Sequence, residues 1–379
     1  MQSGLKICFL ACIALFSVLL ILGCAQNPQQ PSAKETIKVG ILTPLSGARA
    51  EAGEYSKRGL DFAVQEINSD NSKKYSVELA FEDTQYDPKL AVTAFQKFRD
   101  IDGLKFVIGP YGSSEVLAIA PLAEQGRIIL LTSSSQSTDV TNAGDYIFRS
   151  QISVGQEAPF WADFIYRKIG SKPLHLLLIN TDYGESYQKN FVPAFEKLGG
   201  KIGVVEKFGS GDTDFRTALS KIKDSETGGI LMVTMPKSAG LILKQAKEMG
   251  IETSFFASSV FEGQELFDAA GGAEEGIVYP YPYDVESADT AMKTYKEKYY
   301  AKYNEIPEMI SANAHDALML LDYCFEKTGN DVEKIKACLY SIKDFEGASG
   351  TITFDKNGDV TKPLIVKIVK NGKFVKYEE

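Results

Sequence analysis

The chain has 379 residues, 44% hydrophobic and 24% charged, the proportions of an ordinary globular protein and a length that predicts roughly two domains. Its 41 Lys and Arg stand against 50 Asp and Glu, a net charge of −9 with no basic cluster, so the electrostatic footprint of a nucleic-acid binder is missing. Only two histidines and five cysteines are present, three of the cysteines within the first 24 residues, which argues against a His-rich or Cys-rich metal site.

Lys6 leads into the apolar run Ile7 to Leu22, 16 residues that end at Gly23-Cys24. A positive head and an apolar stretch shorter than the roughly 20 residues of a bilayer span read as an export signal. Gly23 before Cys24 resembles a lipobox, in which residues 1–23 are removed as a signal peptide and Cys24 is diacylated. The alternative is a plain signal anchor. Residues 24–35, rich in Gln and Pro, read as a polar tether. The expected location is therefore extracytoplasmic, held to a membrane by the N-terminal lipid.

Beyond the tether, strand and helix patterns alternate. Ile37 to Leu42 is a short apolar strand, and Tyr55 to Asn68 carries Leu60, Ala63, Val64 and Ile67 on one helical face. Val77 to Phe81 precedes a helix opened by Asp87-Pro88, and Phe106 to Gly109 precedes one from Ser114 to Gln125, followed by a strand at Ile128 to Leu131. A second series starts after about residue 155. It has strands at Leu174–Ile179, Ile202–Phe208, Gly229–Val233 and Phe255–Ala257, and helices at Glu185–Leu198, Phe215–Ile222 and Ala239–Met249. Helices return at about 288–302, 310–327 and 331–340, before a β-rich tail from Thr351 to Tyr377 that turns at Asn357-Gly358-Asp359. The pattern predicts an α/β protein with two doubly wound parallel sheets. Cys324 and Cys338, with 13 residues between them in an exported chain, predict a disulfide; the alternative is two buried thiols.

In open α/β sheets ligands bind beyond the carboxyl ends of the strands. Two segments have the chemistry for it. Gly109-Pro110-Tyr111-Gly112-Ser113-Ser114 leaves a strand and opens a helix, and Leu131 to Ser137 ends a strand in a run of hydroxyls. Each taken alone also reads as a helix cap.

From Thr36 to the C-terminus the chain resembles the branched-chain amino acid type of substrate-binding protein, the leucine/isoleucine/valine-binding relatives that serve ABC importers. The landmarks are Ile41 to Gly47 with Gly53 and Gly59, Glu66-Ile67-Asn68, Glu82-Asp83 with Asp87-Pro88, Ile108-Gly109-Pro110 leading to Ser113, Asp182-Tyr183-Gly184, Gln245 to Gly250, His315-Asp316-Ala317, and Gly350 to Asp355 with Asn357-Gly358. The resemblance implies the type I periplasmic binding protein fold: two lobes joined by a three-crossing hinge, with residues 36–153 plus 283–350 in the first and 154–282 plus 351–379 in the second. It implies a monomer that binds a small amino-acid-like ligand and hands it to an ABC transporter permease.

Carried over by position, Ser113 matches the serine that holds the ligand α-carboxylate. Ser134, Ser135 and Gln136 match the next binding loop, and Tyr183 matches an aromatic laid over the ligand. The chain departs from the pattern at Ala52 and Met235, where relatives often have tyrosine, and at Ser259, where many have a glutamate for the ammonium group. Glu262, Asp83 or Asp182 are the candidates to replace that acid. No Gly-x-Ser-x-Gly elbow, Walker loop, early Gly-x-Gly-x-x-Gly or metal spacing occurs, so no catalytic residue, cofactor or metal is expected. His175, inside a leucine strand, reads as a satisfied core histidine, and His315, on a helix, as a packing residue or a cleft hydrogen-bonding group. The alternative function is a lipoprotein sensor or protein-interaction module on the same fold.

Overall fold

Among the described residues, short apolar strands separated by helices build two large sheets, with a two-stranded hairpin beside them. The computed structural model describes residues 34–170 and 172–378; the expected export signal, Cys24 and most of the tether lie outside the described residues. Thr36–Glu379 forms one unit.

The first sheet contains β1 (Glu35–Thr43), β2 (Tyr75–Asp83), β3 (Phe106–Ile108), β4 (Ile129–Thr132) and β5 (Ile147–Arg149), in the order β2-β1-β3-β4-β5. β3 pairs in parallel with β1 and β4, and β4 with β5. Between the strands run α1 (Ala50–Ser69), α2 (Pro88–Asp100) and α3 (Ser113–Gly126). Phe106, Ile108, Ile129 and Leu131 share a core with Leu60 and Ile67 of α1. Val107 and Leu130 share another with Phe95 and Phe98 of α2 and Ile119 of α3. The two-residue period of a strand sends alternate side chains to opposite helix layers, which is why these strands read as unbroken apolar runs. Asp87 caps α2 by accepting from the Lys89 amide at 2.7 Å, with Pro88 in the first turn.

The second sheet follows α4 (Val154–Ile169). Its strands are β6 (Pro173–Ile179), β7 (Lys201–Phe208), β8 (Gly229–Val233), β9 (Phe255–Ala257) and β10 (Val278–Tyr281), joined later by β13 (Ile365–Lys370) and β14 (Lys373–Lys376), in the order β14-β13-β10-β9-β8-β6-β7. α5 (Asp182–Lys197), α6 (Arg216–Lys223), α7 (Pro236–Glu248) and α8 (Gln264–Ala270) connect them. The β-rich tail adds to this sheet antiparallel, β13 on β10 and β14 on β13. α4 has no counterpart in the sequence reading: Gly155 and Pro159 interrupt its pattern, and the buried Trp161, Ala162 and Ile165 hold it in place.

After β10 the chain returns to the first lobe through α9 (Thr290–Tyr303), α10 (Met309–Thr328) and α11 (Val332–Ser341). α10 lies so close to α1 that a Cβ added at Gly59 would sit 2.1 Å from the Ser311 carbonyl oxygen. Gly59→Ala should therefore destabilise the protein by about 1–3 kcal/mol, read as a lower urea midpoint. An unchanged midpoint would mean that the two helices separate at no cost. Cys324 of α10 is bonded to Cys338 of α11.

One expected boundary moves. The sequence reading assigns residues from 351 onward to the second lobe, but β11 (Phe345–Gly347) and β12 (Gly350–Ile352) form a separate hairpin. Ile352, Phe354 and Val360 are buried in the core of the first sheet. Phe354 bridges Val360 across the turn at Gly358, whose carbonyl accepts from the Arg149 amide at 2.9 Å. The chain joins the second sheet only at Ile365.

Candidate functional site

The carboxyl end of β3 turns through Gly109, where φ is +98° and a Cβ would stand 2.0 Å from the Leu42 carbonyl oxygen. Only glycine fits there. The turn delivers Gly112 to the N-cap of α3, its amide donating to Glu115 Oε2 at 2.7 Å. Ser113 Oγ then accepts from the Ser137 amide and from Ser135 Oγ, each at 3.1 Å. Thr132, ending β4, donates to the Pro110 carbonyl at 3.0 Å and accepts from the Ser135 amide at 3.2 Å. The two hydroxyl-rich loops are thereby knitted into one surface. Arg149 supports it from below, donating to the Ser137 carbonyl at 2.8 Å while paired with Asp359 at 2.6 Å.

The second lobe presents its own strand ends to that surface. Thr181 caps α5 after β6, so Tyr183 enters the first turn and is buried beside Tyr187. Beyond β9, Ser259 donates from its amide to Glu157 Oε1 at 3.2 Å and from Oγ to Glu157 Oε2 at 2.5 Å. Gln136 Nε2 of the first lobe donates to the same Ser259 Oγ at 3.1 Å. Thr138 meets Ser186 at 2.9 Å through its amide and 3.0 Å through its hydroxyl. The strand ends of both sheets face each other directly.

Glu157, on α4, is fully buried. Burial pushes its carboxyl up to about 7, against the hydrogen bonds from Ser259 and Tyr187 that favour the charged form. The sequence reading named Glu262, Asp83 and Asp182 as replacement acids and missed this one, which arrives from a helix 102 residues earlier.

Beside this seam lies a cavity of about 500 Å³ with walls from both lobes, among them Arg49, Tyr111 and Ser134 of the first and Ser259, Glu262 and Tyr281 of the second. Arg49 is 4% exposed. Its Nη2 donates to Tyr111 Oη at 2.7 Å, and the guanidinium lies 5.1 Å from the centre of that ring. Its Nε has no acceptor. Among the described residues no acid forms a salt bridge with Arg49; Glu265 attracts it only through space, although a guanidinium stays charged under all ordinary conditions. A lone arginine in Gly47-Ala48-Arg49-Ala50, just past the first strand, was the available signal.

The periplasmic binding protein family model matches residues 36–373. The chain belongs to that family. A Pseudomonas aeruginosa leucine-, isoleucine-, valine-, threonine- and alanine-binding protein is 28% identical over 367 residues, covering 96% of this chain and 94% of the relative. The crystal structure of the leucine-binding protein LivK of Thermotoga maritima has a TM-score of 0.85 at 28% identity, covering 90% of this chain and 98% of that one. LivJ of Streptococcus pneumoniae, solved with isoleucine, has a TM-score of 0.83 at 26% identity over the same shares. As a periplasmic binding protein this chain is an extracytoplasmic solute-binding receptor, and no helix among its described residues is long and apolar enough to cross a membrane.

Within this periplasmic binding protein the residues singled out from the sequence fall into three groups. Ser134, Ser259 and Glu262 line the cavity. Ser113, Ser135, Gln136 and Tyr183 form the buried seam beside it. Ala52 is packed inside α1, and Met235 is buried at the N-cap of α7.

Two of the three candidate replacement acids have partners elsewhere in the structure. Asp83 accepts from the Leu45 and Gln85 amides at 2.8 and 3.0 Å and from Ser46 Oγ at 2.5 Å. Against the upward push of burial, these bonds hold its pKa below the usual range. It pins the loop after β1. Glu262 is neutralised by Lys367 and accepts from Tyr279 Oη at 2.6 Å, and Asp182 occupies the first turn of α5. The histidines are committed as well. His175 Nδ1 accepts from the Val204 amide at 2.8 Å, and His315 Nε2 lies 2.9 Å from Glu66. No cluster of three or more His, Cys, Asp or Glu side chains that could hold a metal occurs among the described residues.

Proposed function

We propose that this chain is a lipid-anchored receptor that closes its lobes on a small amino acid or a related carboxylate or amide and hands it to the permease of an ABC importer. The observation that carries the reading is Arg49: a buried cation without a salt bridge, on a cavity whose walls come from both lobes. An unpaired buried charge costs several kcal/mol. A ligand carboxylate supplies the missing partner in bidentate geometry, and the Ser113 and Ser134–Gln136 surface offers further donors. The names of the Pseudomonas relative and the isoleucine in the Streptococcus structure support an amino acid.

The ligand drives closure because it touches both lobes at once. In this reading the first lobe is 36–153 plus 283–360 and the second is 154–282 plus 361–378, Cys24 carries the lipid, and the protein acts as a monomer. A thermal-shift panel of amino acids, amides and short carboxylates tests the function. A true ligand at about 100 times its dissociation constant adds roughly 2.7 kcal/mol. The reading fails if no solute in the panel raises the melting temperature.

A further inference from the structure

The cavity extends past Arg49 to the segments where the chain crosses between lobes. Its far wall holds Tyr281, Tyr283, Met309 and Glu308, the N-cap of α10. Glu308 Oε2 is buried without a hydrogen-bond partner, and so is the hydroxyl of Tyr283, a residue only 4% exposed. No salt bridge forms at Glu308 among the described residues, where Arg58 and Glu305 act on it through space and Ser311 lies beside it, in contrast to Glu262, which Lys367 already neutralises. Burial pushes the Glu308 carboxyl up to about 8, so at neutral pH it stands mostly protonated beside the tyrosine rings.

One cavity thus carries a cation and an acid that form no salt bridge, with each other or with any other described residue; Glu265 acts on Arg49, and Arg58 on Glu308, only through space. The two charges of an α-amino acid sit on a single carbon and need partners that converge on one spot. Here the acid position nearest the hydroxyl loops is Ser259, and its neighbour Glu157 has both oxygens engaged, by Ser259 and Tyr187. Arg49 comes from the loop after β1 and Glu308 from the start of α10. A volume of about 500 Å³ lies in the range that holds a drug-sized ligand, well beyond the nine heavy atoms of leucine.

Resting on the receptor reading above, we propose that this cleft selects solutes whose carboxylate and amino group are several bonds apart, such as ω-amino acids, with the carboxylate on Arg49 and the ammonium on Glu308. The Tyr283 ring beside Glu308 adds cation–π attraction; the Tyr281 ring is already covered by the Lys367 ammonium, 4.4 Å from its centre. The α10 dipole opposes a cation at its N-terminus, but it is weaker than a buried ammonium–carboxylate pair. Ionising Glu308 on binding also releases its proton.

Calorimetry at pH 7 with δ-aminovalerate, valerate and leucine tests this on the wild type, Arg49→Gln and Glu308→Gln, with circular dichroism as the check on folding. δ-Aminovalerate should bind at least about tenfold more tightly than valerate or leucine, a difference a buried charge pair readily supplies. Its binding should release close to one proton, read from the dependence of the enthalpy on the buffer. Glu308→Gln should bring δ-aminovalerate down to the valerate level, abolish the proton release and leave valerate unchanged; Arg49→Gln should weaken both. If leucine binds most tightly and Glu308→Gln leaves it unaffected, the inference is overturned while the receptor function stands. If none of the three binds, the inference is likewise overturned, and the wider panel shows whether the receptor reading falls with it.

Discussion

Replacing Arg49 with alanine should weaken binding of a carboxylate ligand by roughly 30-fold or more, because removing one partner of a buried charge pair costs about 2 kcal/mol or more. The unliganded protein should lose little, within about 1 kcal/mol, or become more stable. Its Arg49 makes one side-chain hydrogen bond, to Tyr111, and relieving an unpaired buried charge offsets that loss. Affinity falling while stability holds separates a binding residue from a structural one. Arg49→Lys should fall between, keeping the charge but losing the planar fork. Titration calorimetry alongside urea unfolding reads both quantities. Affinity within threefold of wild type in Arg49→Ala would place the carboxylate elsewhere.

Glu157→Gln should flatten part of the pH dependence of stability. The carboxyl rises from 4.5 to about 7 in the folded protein because it is buried. Between those values the folded state holds a proton that the unfolded state has released, so stability falls as pH rises through this window and the full penalty applies above it. The shift corresponds to about 3 kcal/mol. Glu115, also raised to about 7 by burial, contributes in the same direction, so the comparison must be between wild type and variant. Urea midpoints at pH 5 and pH 8 should differ less in Glu157→Gln than in the wild type; parallel profiles would mean that Glu157 is charged throughout. Glutamine preserves the shape of the side chain beside Ser259 and Tyr187, which keeps the test on charge rather than packing.

Much of the scaffold was readable locally. Unbroken apolar runs located β3, β4, β6 and β8, Asp87-Pro88 announced the start of α2, and the glycine of the turn at 357–359 adopts the positive φ, +76°, that the position requires. These features depend on neighbours a few residues away, so a single stretch of chain carries the whole signal. α4 was not readable, because Gly155 and Pro159 weaken a local pattern that burial of Trp161 outweighs. The boundary near 350 failed for a related reason. Which core receives Ile352, Phe354 and Val360 depends on the lobe they meet, and an apolar side chain is equally satisfied by either.

The site divides along the same line. The order of strands, helices and hydroxyl-rich strand ends is written into the periodicity and the glycines, and it was enough to mark the segment Leu131 to Ser137, whose Ser134 lines the cavity; Ser259 came only from the family resemblance. Charge matching is a property of distance in space, not along the chain. Glu262 and Asp83 stood as candidate ligand acids; Glu262 is paired with Lys367, Asp83 holds a loop, and Glu157 reaches Ser259 from 102 residues away. Arg49 became a candidate only when packing removed water from it and left it without a salt bridge, Glu265 acting on it only through space. Coulomb attraction and desolvation act through space, so folding alone settles which ionisable groups are spent on structure and which remain for a ligand.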